Sequence, residues 1–323
     1  MRSWLALAVI AALVAALPLA GNNYALRLAT TVCMYSVMAQ SWNFIGGLAG
    51  YPSFATAAFF GLGAYASAIL QNYGVPMVPA WAGAGLAALL FAAFLGGAIL
   101  HLRGHYFAIA SLIVAEMLRE IVNTLPDFTG GGKGVNLPLL KLSVTGQAQF
   151  FFYAMLALAV LTVATTIVIH RSKLGFGLRC IQQNEDAADM VGIDTTRYKV
   201  MAYTLSALFC GTVGAAYASW TGYIDANDSF SIIMTIKVPV MCLLGGPGTV
   251  LGPVVGTAAF TLLEEVFWAN FLDYNRAILG AVIVVLIFFL PGGLLAVSYR
   301  DLLARFTASR GAAKTDDQQK VPT

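Results

Sequence analysis

Charged residues are scarce in this sequence. Only 10% of its 323 residues are Asp, Glu, Lys or Arg, whereas soluble domains carry about 25%. Hydrophobic residues make up 59% of the chain, and this composition excludes an ordinary soluble domain, because a soluble core of this size needs a polar shell. The uncharged runs recur from Trp4 to Pro291, with charges mostly in the gaps between them. Lipid is therefore predicted to surround most of the chain.

Cysteine usage and charge distribution exclude two further classes. The chain has four cysteines, and they indicate packing residues, not a disulfide framework, because Cys180 lies in a basic loop and the others lie inside apolar runs. The net charge of +3 comes from basic residues scattered over several loops and a tail, without interleaved aromatic residues. This distribution does not suggest a nucleic-acid partner.

Motifs for nucleotide or metal binding are also missing. Around the glycine-rich run 129–134, Asp127 stands where a phosphate-binding loop needs Gly, and Gly134 stands where it needs Ser or Thr. The second glycine-rich run, 244–253, lacks the Lys that should follow it. His101 and His105 are four residues apart, but no acidic partner is near in sequence, which favours interfacial packing over metal binding. We predict a chain that is not an enzyme and binds no cofactor or metal, because nucleophile motifs and acidic pairs at an aqueous border are lacking too.

Ten apolar runs are long enough to suggest membrane-spanning helices, which need about 20 residues each. The fold class is therefore predicted to be all-α, a polytopic membrane helical bundle of about ten transmembrane helices. The first run follows Arg2 and resembles a secretory signal, but Pro18 sits where a small residue should precede a cleavage site, so a retained helix is favoured. The predicted spans are 4–20, 25–45, 54–70, 79–101, 104–122, 148–169, 200–219, 229–245, 249–268 and 277–296.

Basic residues predict the orientation. Lys and Arg concentrate in the loop 170–199 and in the tail 297–323, and such segments stay on the cytoplasmic side. An even number of spans places both termini there. Ten spans would divide into five and five, with the second half starting from the opposite side, as in inverted repeats. We predict one transmembrane domain over 1–296, with 170–199 as its cytoplasmic coupling loop, followed by a cytoplasmic tail over 297–323.

Several polar residues lie within or beside the apolar runs and are candidates for a solute path. The glycine-rich stretch 41–65 has two interpretations. Either Ala57, Gly61 and Gly63 clear room for a neighbouring helix, or Gly46 to Pro52 break regular structure to line a pathway. Glu116 and Arg119 can pair on one helix, either structurally or along the path, and Lys237 has the same status, with Glu116, Glu264 or Glu265 as its partner. The path candidates are Asn43, Ser53, Glu116, Arg119 and Lys237.

The loop 170–199 is the most informative segment. Residues 178–190 contain good helix formers and Gly192 suits a helix end, so a short helix is predicted there. Such a helix is either a connector or a docking element, whose small side chains would seat in a groove on a soluble partner.

Taken together, the sequence resembles the inner-membrane permeases of ATP-binding-cassette importers, specifically the LivM-type branched-chain amino acid permeases. The resemblance covers about residues 25–296 and depends on the order of several blocks. They are Asn43 to Tyr65, Leu102-Arg-Gly-His-Tyr-Phe-Ala-Ile, Glu116 with Arg119, Thr129-Gly-Gly, the cytoplasmic loop, Leu244-Gly-Gly-Pro-Gly and Pro291-Gly-Gly-Leu.

The resemblance implies a coupling role for part of the loop. Asp186-Ala187-Ala188 followed by Gly192 resembles the family's pattern for contact with the ATPase subunit, and Arg179 belongs to the same segment. The family's later Ile-x-Leu-Pro portion is absent. By this resemblance the chain pairs with a homologous permease, two ATP-binding cassette ATPase subunits and an extracytoplasmic solute-binding protein, in the bilayer of a bacterial inner membrane. ATP hydrolysis is then expected on a separate chain.

The solute and the energy source stay open at this point. Ala55 and Thr56 stand where the family often has Gly-His, so urea, short amides or another small carboxylic acid are alternatives to branched-chain or related amino acids. The runner-up is an ion-coupled secondary transporter, which would use intramembrane carboxylates and a broken-helix ion site. The docking-like loop argues against it.

Overall fold

A computed structural model describes residues 7, 11–12, 14–20, 23–138, 140, 143–270, 280 and 293–295. These residues form an all-α bundle in which the long apolar helices leave many large apolar side chains exposed. The helices are α1 Asn23–Trp42, α2 Thr56–Asn72, α3 Met77–Ile99, α4 His105–Thr124, α5 Pro126–Thr129, α6 Val144–Arg171, α7 Lys173–Gln183, α8 Glu185–Met190, α9 Thr195–Thr221, α10 Ala226–Ser229, α11 Ile232–Gly245 and α12 Gly252–Asn270.

Irregular elements join some of these helices. Leu17–Ala20 and Gly131–Lys133 form single 3₁₀ turns, and Asn43–Gly47 forms a π-helical turn directly after α1. The strands β1 Val135–Asn136 and β2 Tyr223–Ile224 pair antiparallel, with Val135 opposite Ile224. This ribbon fixes the end of α9 against the loop that follows α4.

Eight of the predicted spans overlap long helices in this part of the chain. Four segments are long and apolar enough to cross a membrane, namely Met77–Ile99, Val144–Arg171, Thr195–Thr221 and Ala226–Gly245. In the predicted span 229–245 the long helix starts at Ile232, because Phe230 and Ser231 interrupt the helical structure. Helix α11 therefore has 14 residues, or about 21 Å of helix. Most of the run 277–296, parts of 4–20 and the tail 297–323 lie outside the described residues, so the count of ten and the five-plus-five arrangement stay predictions.

Small residues bring the central helices together. Helix α9 packs against both α2 and α3. A Cβ added at Gly63 would lie 2.0 Å from the carbonyl oxygen of Gly211, and one added at Gly214 would lie 2.1 Å from that of Phe60. The backbones of α2 and α9 therefore touch, as the packing interpretation of the glycine-rich stretch expects.

The chain leaves helical structure between α1 and α2, where glycines and Pro52 were predicted to break it. Gly50 has a positive φ of 73°, a conformation that favours glycine. The Trp42 indole Nε1 donates a hydrogen bond of 2.7 Å to the Ser53 carbonyl, and the Phe54 amide donates one of 2.8 Å to Ser111 Oγ. These bonds hold the irregular segment 48–55 against the ends of α1 and α4.

Candidate functional site

Asn43 joins the two glycine-rich turns that the sequence singled out. Its side chain is fully buried, and its Oδ1 accepts a hydrogen bond of 2.7 Å from the Gly248 amide while its Nδ2 donates one of 2.9 Å to the Thr249 carbonyl. A Cβ at Gly47 would lie 1.8 Å from Asn43 Oδ1 and 2.6 Å from the Gly248 nitrogen. The break after α1 is thus fixed to the turn between α11 and α12, and we call this contact the glycine junction.

The predicted path residues do not gather at one place. Ser53 is buried within the irregular segment 48–55, whereas Glu116 and Arg119 pair within α4 at 2.6 Å, with about a third of each side chain exposed. Lys237 pairs with Glu264 across α11 and α12, which selects one of the three partners considered from the sequence. A path role for these residues stays a prediction.

A cavity of about 750 Å³ lies beside the Lys237–Glu264 pair. We call it the polar cavity. It is formed by α1, the end of α9, α11 and α12. Its lining residues are Tyr24, Arg27, Leu28, Thr31, Met34, Tyr35, Tyr217, Trp220, Thr221, Lys237, Thr261, Glu264 and Glu265.

Residues 172–194 are the part of the loop 170–199 that lies between α6 and α9. This part of the loop and the polar cavity lie at opposite ends of α9. This helix begins at Thr195, directly after the loop, and its last residues Trp220 and Thr221 line the cavity. A helix of 27 residues spans about 40 Å. The cavity therefore lies near the face of the bundle opposite the loop.

The loop contains two helices where the sequence predicted one over 178–190. The break falls at Asn184, whose backbone is extended and whose side chain accepts a hydrogen bond of 3.0 Å from the Ala187 amide. Asparagine is a favoured N-cap residue, so it starts α8 in place of continuing α7. The new helix begins at Glu185.

A buried lysine ties α8 to the spans. Lys199 on α9 is 2% exposed, and its ammonium donates hydrogen bonds to Glu185 Oε1 at 2.7 Å, to the Leu100 carbonyl at 2.9 Å and to the Tyr51 hydroxyl at 3.3 Å. The Tyr51 hydroxyl also donates to Glu185. Arg103, which is 60% exposed, lies 3.6 Å from the Glu185 carboxylate. We call Lys199, Glu185, Tyr51, the Leu100 carbonyl and Arg103 the coupling cluster.

Opposing effects set the charge state of Glu185. Burial raises the pKa of this carboxyl, but hydrogen bonds from Lys199 and Tyr51 and the nearby positive charges outweigh it, so its pKa lies below the ordinary value. Glu185 therefore stays ionised at neutral pH and keeps its bond to Lys199. Neither residue was predicted from the sequence, because Lys199 was considered only as one of the basic residues that set the orientation and the predicted coupling motif begins at Asp186.

The predicted coupling residues occupy different surroundings. Asp186 binds Arg103 Nη1 at 2.9 Å, and Ala187 is exposed, whereas Ala188 is only 3% exposed. Gly192, just after α8, has a φ of 86°, and a Cβ added to it would meet none of the described residues within 4 Å. Arg179 lies on α7, and its Nη1 contacts His170 Nδ1 at 3.2 Å. Four of the five residues thus lie on or next to α8, while Arg179 fixes α7 to the end of α6.

The tip of α8 presents apolar side chains. Met190 is 82% exposed and Val191 75% exposed, although the same helix is held from behind by Lys199 and by the buried Ala188. A fixed helix with an exposed apolar tip is suited to contact with a protein partner. In the part of the chain that the structure describes, no group of three His, Cys, Asp or Glu residues is placed to hold a metal ion.

Comparisons with known proteins agree with a membrane permease. A family model described as "Branched-chain amino acid transport system / permease component" matches residues 24–287. The chain is 26% identical over 311 residues to the high-affinity branched-chain amino acid transport system permease protein LivM of Escherichia coli strain K12, covering 88% of this chain and 73% of the relative.

More distant relatives extend this similarity. The permease protein LivH of the same transport system in Salmonella typhimurium is 22% identical over 281 residues, covering 81% of this chain and 91% of the relative. The probable ABC transporter permease protein YphD of Escherichia coli is 26% identical over 145 residues, which is 42% of this chain and 44% of that protein. No solved structure matches the chain.

Proposed function

The chain belongs to the family of branched-chain amino acid transport system permease components, and from this membership we propose that it is the membrane-spanning subunit of an ATP-binding-cassette importer for branched-chain or related amino acids. It lies in the inner membrane of a bacterium as a multi-pass protein with both termini in the cytoplasm, and its ten spans form two inverted halves of five. The relatives named LivM and LivH support pairing with a second, homologous permease subunit.

The proposed partners divide the remaining work. Two ATP-binding cassette subunits hydrolyse ATP, and a solute-binding protein outside the membrane selects and delivers the solute. This chain binds no nucleotide or metal itself. It provides one half of the path and the surface through which motion of the ATPase reaches that path.

The coupling cluster is the observation that carries this proposal. Glu185 lies in the first turn of α8 and is held by Lys199 of α9 and by Tyr51 of the segment 48–55. A displacement of α8 by a partner would therefore move α9 and this segment with it, because each is bonded directly to the same carboxylate. Rigid links of this kind transmit helix shifts across an interface.

A second connection runs from α7 to the glycine junction. Gln182 Nε2 donates a hydrogen bond of 3.0 Å to the Gly47 carbonyl, and the π-helical turn that contains Gly47 is fixed by Asn43 to the turn at 248–249. Motion of the loop would thus reach both glycine-rich breaks. We infer that these breaks are where one half of the bundle shifts against the other during transport.

The first test is purification of the tagged chain from its native membrane in mild detergent, with mass spectrometry of the proteins that accompany it. We expect a second permease and an ATP-binding cassette ATPase. The recovered complex, placed in liposomes with its binding protein, should take up radiolabelled leucine, isoleucine or valine only when ATP is supplied. Recovery of the chain alone, with uptake driven by an ion gradient, would contradict the proposal.

The exposed tip of α8 provides a sharper test of docking to the ATPase. Val191→Asp places a charge on the exposed end of α8, so the ATPase should no longer accompany the permease and ATP-dependent uptake should be lost. The matched control is Val144→Asp, because Val144 is 81% exposed at the far end of α6. Its substitution should leave the complex intact. Equal effects of both substitutions would remove the docking role of α8.

Gly192 gives an independent check of the same surface. Gly192→Arg adds bulk where the structure has open space, so insertion should be normal while uptake and ATPase coupling are abolished. Because the positive φ of this residue disfavours arginine, Gly192→Asn serves as the control, since asparagine tolerates this conformation and adds less bulk. Normal uptake by Gly192→Arg would argue against contact at this position.

A further inference from the structure

The polar cavity combines charged and apolar walls in a way that is unusual for the interior of a membrane protein. Lys237 and Arg27 supply positive charge, and Glu264 and Glu265 supply negative charge. Leu28, Met34 and aromatic side chains from α1 and α9 complete the lining. The volume of about 750 Å³ lies in the range of small-molecule sites, about 300–1,000 Å³.

The Lys237–Glu264 pair is only partly enclosed. The two side chains are 18% and 20% exposed, and both border the cavity. A buried ion pair repays the cost of its desolvation only when further hydrogen bonds satisfy its remaining donors and acceptors. Because Lys237 and Glu264 both border the cavity, a ligand carboxylate could replace Glu264 as the partner of Lys237. A ligand ammonium group could likewise replace Lys237 as the partner of Glu264.

Thr261 supplies a second, independent observation. It lines the cavity one turn before Glu264 and is 6% exposed. Among the described residues its hydroxyl has no hydrogen-bond partner, whereas the hydroxyl of Thr31, which also lines the cavity, donates to the Arg27 carbonyl. A buried hydroxyl without a partner costs free energy, which a polar ligand beside it would recover.

We propose that the polar cavity is a binding site for an α-amino acid in its zwitterionic form, with the ligand carboxylate on Lys237, its ammonium group on Glu264 and its aliphatic side chain against Met34 and the aromatic wall. This assignment rests on the proposed function and adds to it the site where the solute binds during transport. The charges of the walls cancel in pairs, so a zwitterion enters without an unbalanced charge.

The geometry separates the two ends of the ligand. Lys237 comes from α11, while Glu264 and Glu265 come from α12. A zwitterion inserted between the helices replaces one ion pair by two, and it closes the cavity between α1, α9 and α12. Charged groups inside a membrane protein cost free energy, and they commonly mark solute pathways.

The test measures binding without transport. The complete importer is purified in lipid nanodiscs without its binding protein, and its unfolding temperature is recorded with increasing L-leucine, with the amine-free 2-oxo acid of leucine, and with L-leucinamide, which lacks the carboxylate. A ligand that binds the folded protein raises this temperature. We expect leucine to bind the unaltered importer at least about tenfold more tightly than either analogue, as the loss of one charged hydrogen bond predicts.

Two substitutions assign the two ends. Glu264→Gln should remove the preference for leucine over the 2-oxo acid, and Lys237→Met should remove the preference for leucine over leucinamide. The matched controls are Glu120→Gln and Lys133→Met, because both residues lie outside the cavity lining. The controls should keep the preferences of the unaltered importer.

The opposite results are equally definite. Unchanged preferences in both cavity variants, or an equal loss of all three ligands, would show that the pair is structural and would overturn the proposal. If either variant does not fold, Thr261→Val decides, because it removes only the hydroxyl. We expect it to weaken leucine binding about three- to tenfold, and unchanged binding would overturn the proposal as well.

This experiment also separates the site from the function. An unaltered importer that takes up leucine with ATP but is not stabilised by it would leave the proposed function intact and reject the site. An importer that takes up no amino acid would reject the proposed function, whatever the cavity binds.

Discussion

The coupling cluster and the polar cavity each contain a Lys–Glu pair, and the two pairs are built differently. Lys199 is 2% exposed and its ammonium meets three oxygens, including a carboxylate that is 13% exposed. Lys237 and Glu264 are 18% and 20% exposed beside a cavity that Thr261 also lines, and the Thr261 hydroxyl has no partner among the described residues.

The difference indicates two uses of the same chemistry. A pair whose hydrogen bonds are all taken resists rearrangement, so displacement of one partner moves the other. A pair that borders open space can accept a third charged group. We therefore interpret the pair beside the loop as a mechanical link and the pair on the opposite face as a recognition element, about 30 Å apart along α9.

The largest expected effect comes from Glu185→Gln, which breaks the mechanical link. Lys199 would be left as a buried ammonium without its counter-charge, and removing one partner of a buried pair costs about 3–5 kcal/mol. We expect the lower end of that range, because Glu185 itself is 13% exposed. ATP-dependent uptake should be lost, and thermal unfolding of the purified complex should occur at a lower temperature.

A double variant tests whether charge is the cause. Glu185→Gln combined with Lys199→Met removes both charges, so much of the lost stability should return, since no buried ion is left unpaired. Uptake should stay low, because the link between α8 and α9 is still absent. Full recovery of uptake would show that the cluster is not a mechanical link.

Most of the long helices could be predicted because uncharged runs directly report lipid contact. Lys237 was noticed for the same reason, since a charge inside an apolar run is conspicuous. The break at Asn184 was missed because the helix formers around it outweighed one capping residue, although asparagine was the available signal.

Contacts between distant positions could not be predicted in this way. The coupling cluster brings together Tyr51, Leu100, Glu185 and Lys199, and nothing in the local pattern of any of them points to the others. The polar cavity likewise needs four helices to be packed before its charges become neighbours. Of the proposed path residues, only Lys237 lines that cavity.

A smaller effect is expected at the glycine junction, which connects the loop to the second glycine-rich turn. In Gly47→Ala the new methyl group would overlap Asn43 Oδ1 and the Gly248 nitrogen, and such overpacking costs about 1–3 kcal/mol. Thermal unfolding should occur at a lower temperature, and uptake should fall. The control is Gly97→Ala on α3, where the added methyl group meets none of the described residues within 4 Å. It should lower neither quantity, because alanine favours a helix more than glycine does.

Acid provides a milder way to weaken the mechanical link. Because the pKa of Glu185 is lowered in the folded protein, the stability that its charge adds is fully present above the pKa of an unfolded glutamate, about 4.3. That stability is lost as the pH falls from there through the lower pKa of the folded protein. The difference in unfolding temperature between the unaltered complex and Glu185→Gln should therefore shrink below about pH 4.3. A constant difference would mean that the carboxylate charge is not what Lys199 requires.

The smallest effect is expected at the exposed rim of the coupling cluster. Arg103 is 60% exposed and its partner Asp186 is 72% exposed, so water and salt screen their attraction. Arg103→Ala should leave the unfolding temperature nearly unchanged, and any difference should vanish in about 1 M salt, where charges are screened within about 3 Å. Arg197→Ala, which removes another exposed pair, is the control. A large loss of uptake with normal stability would show that Arg103 contacts the ATPase. A large loss of stability would show that Arg103 contributes to the coupling cluster as much as its buried members do.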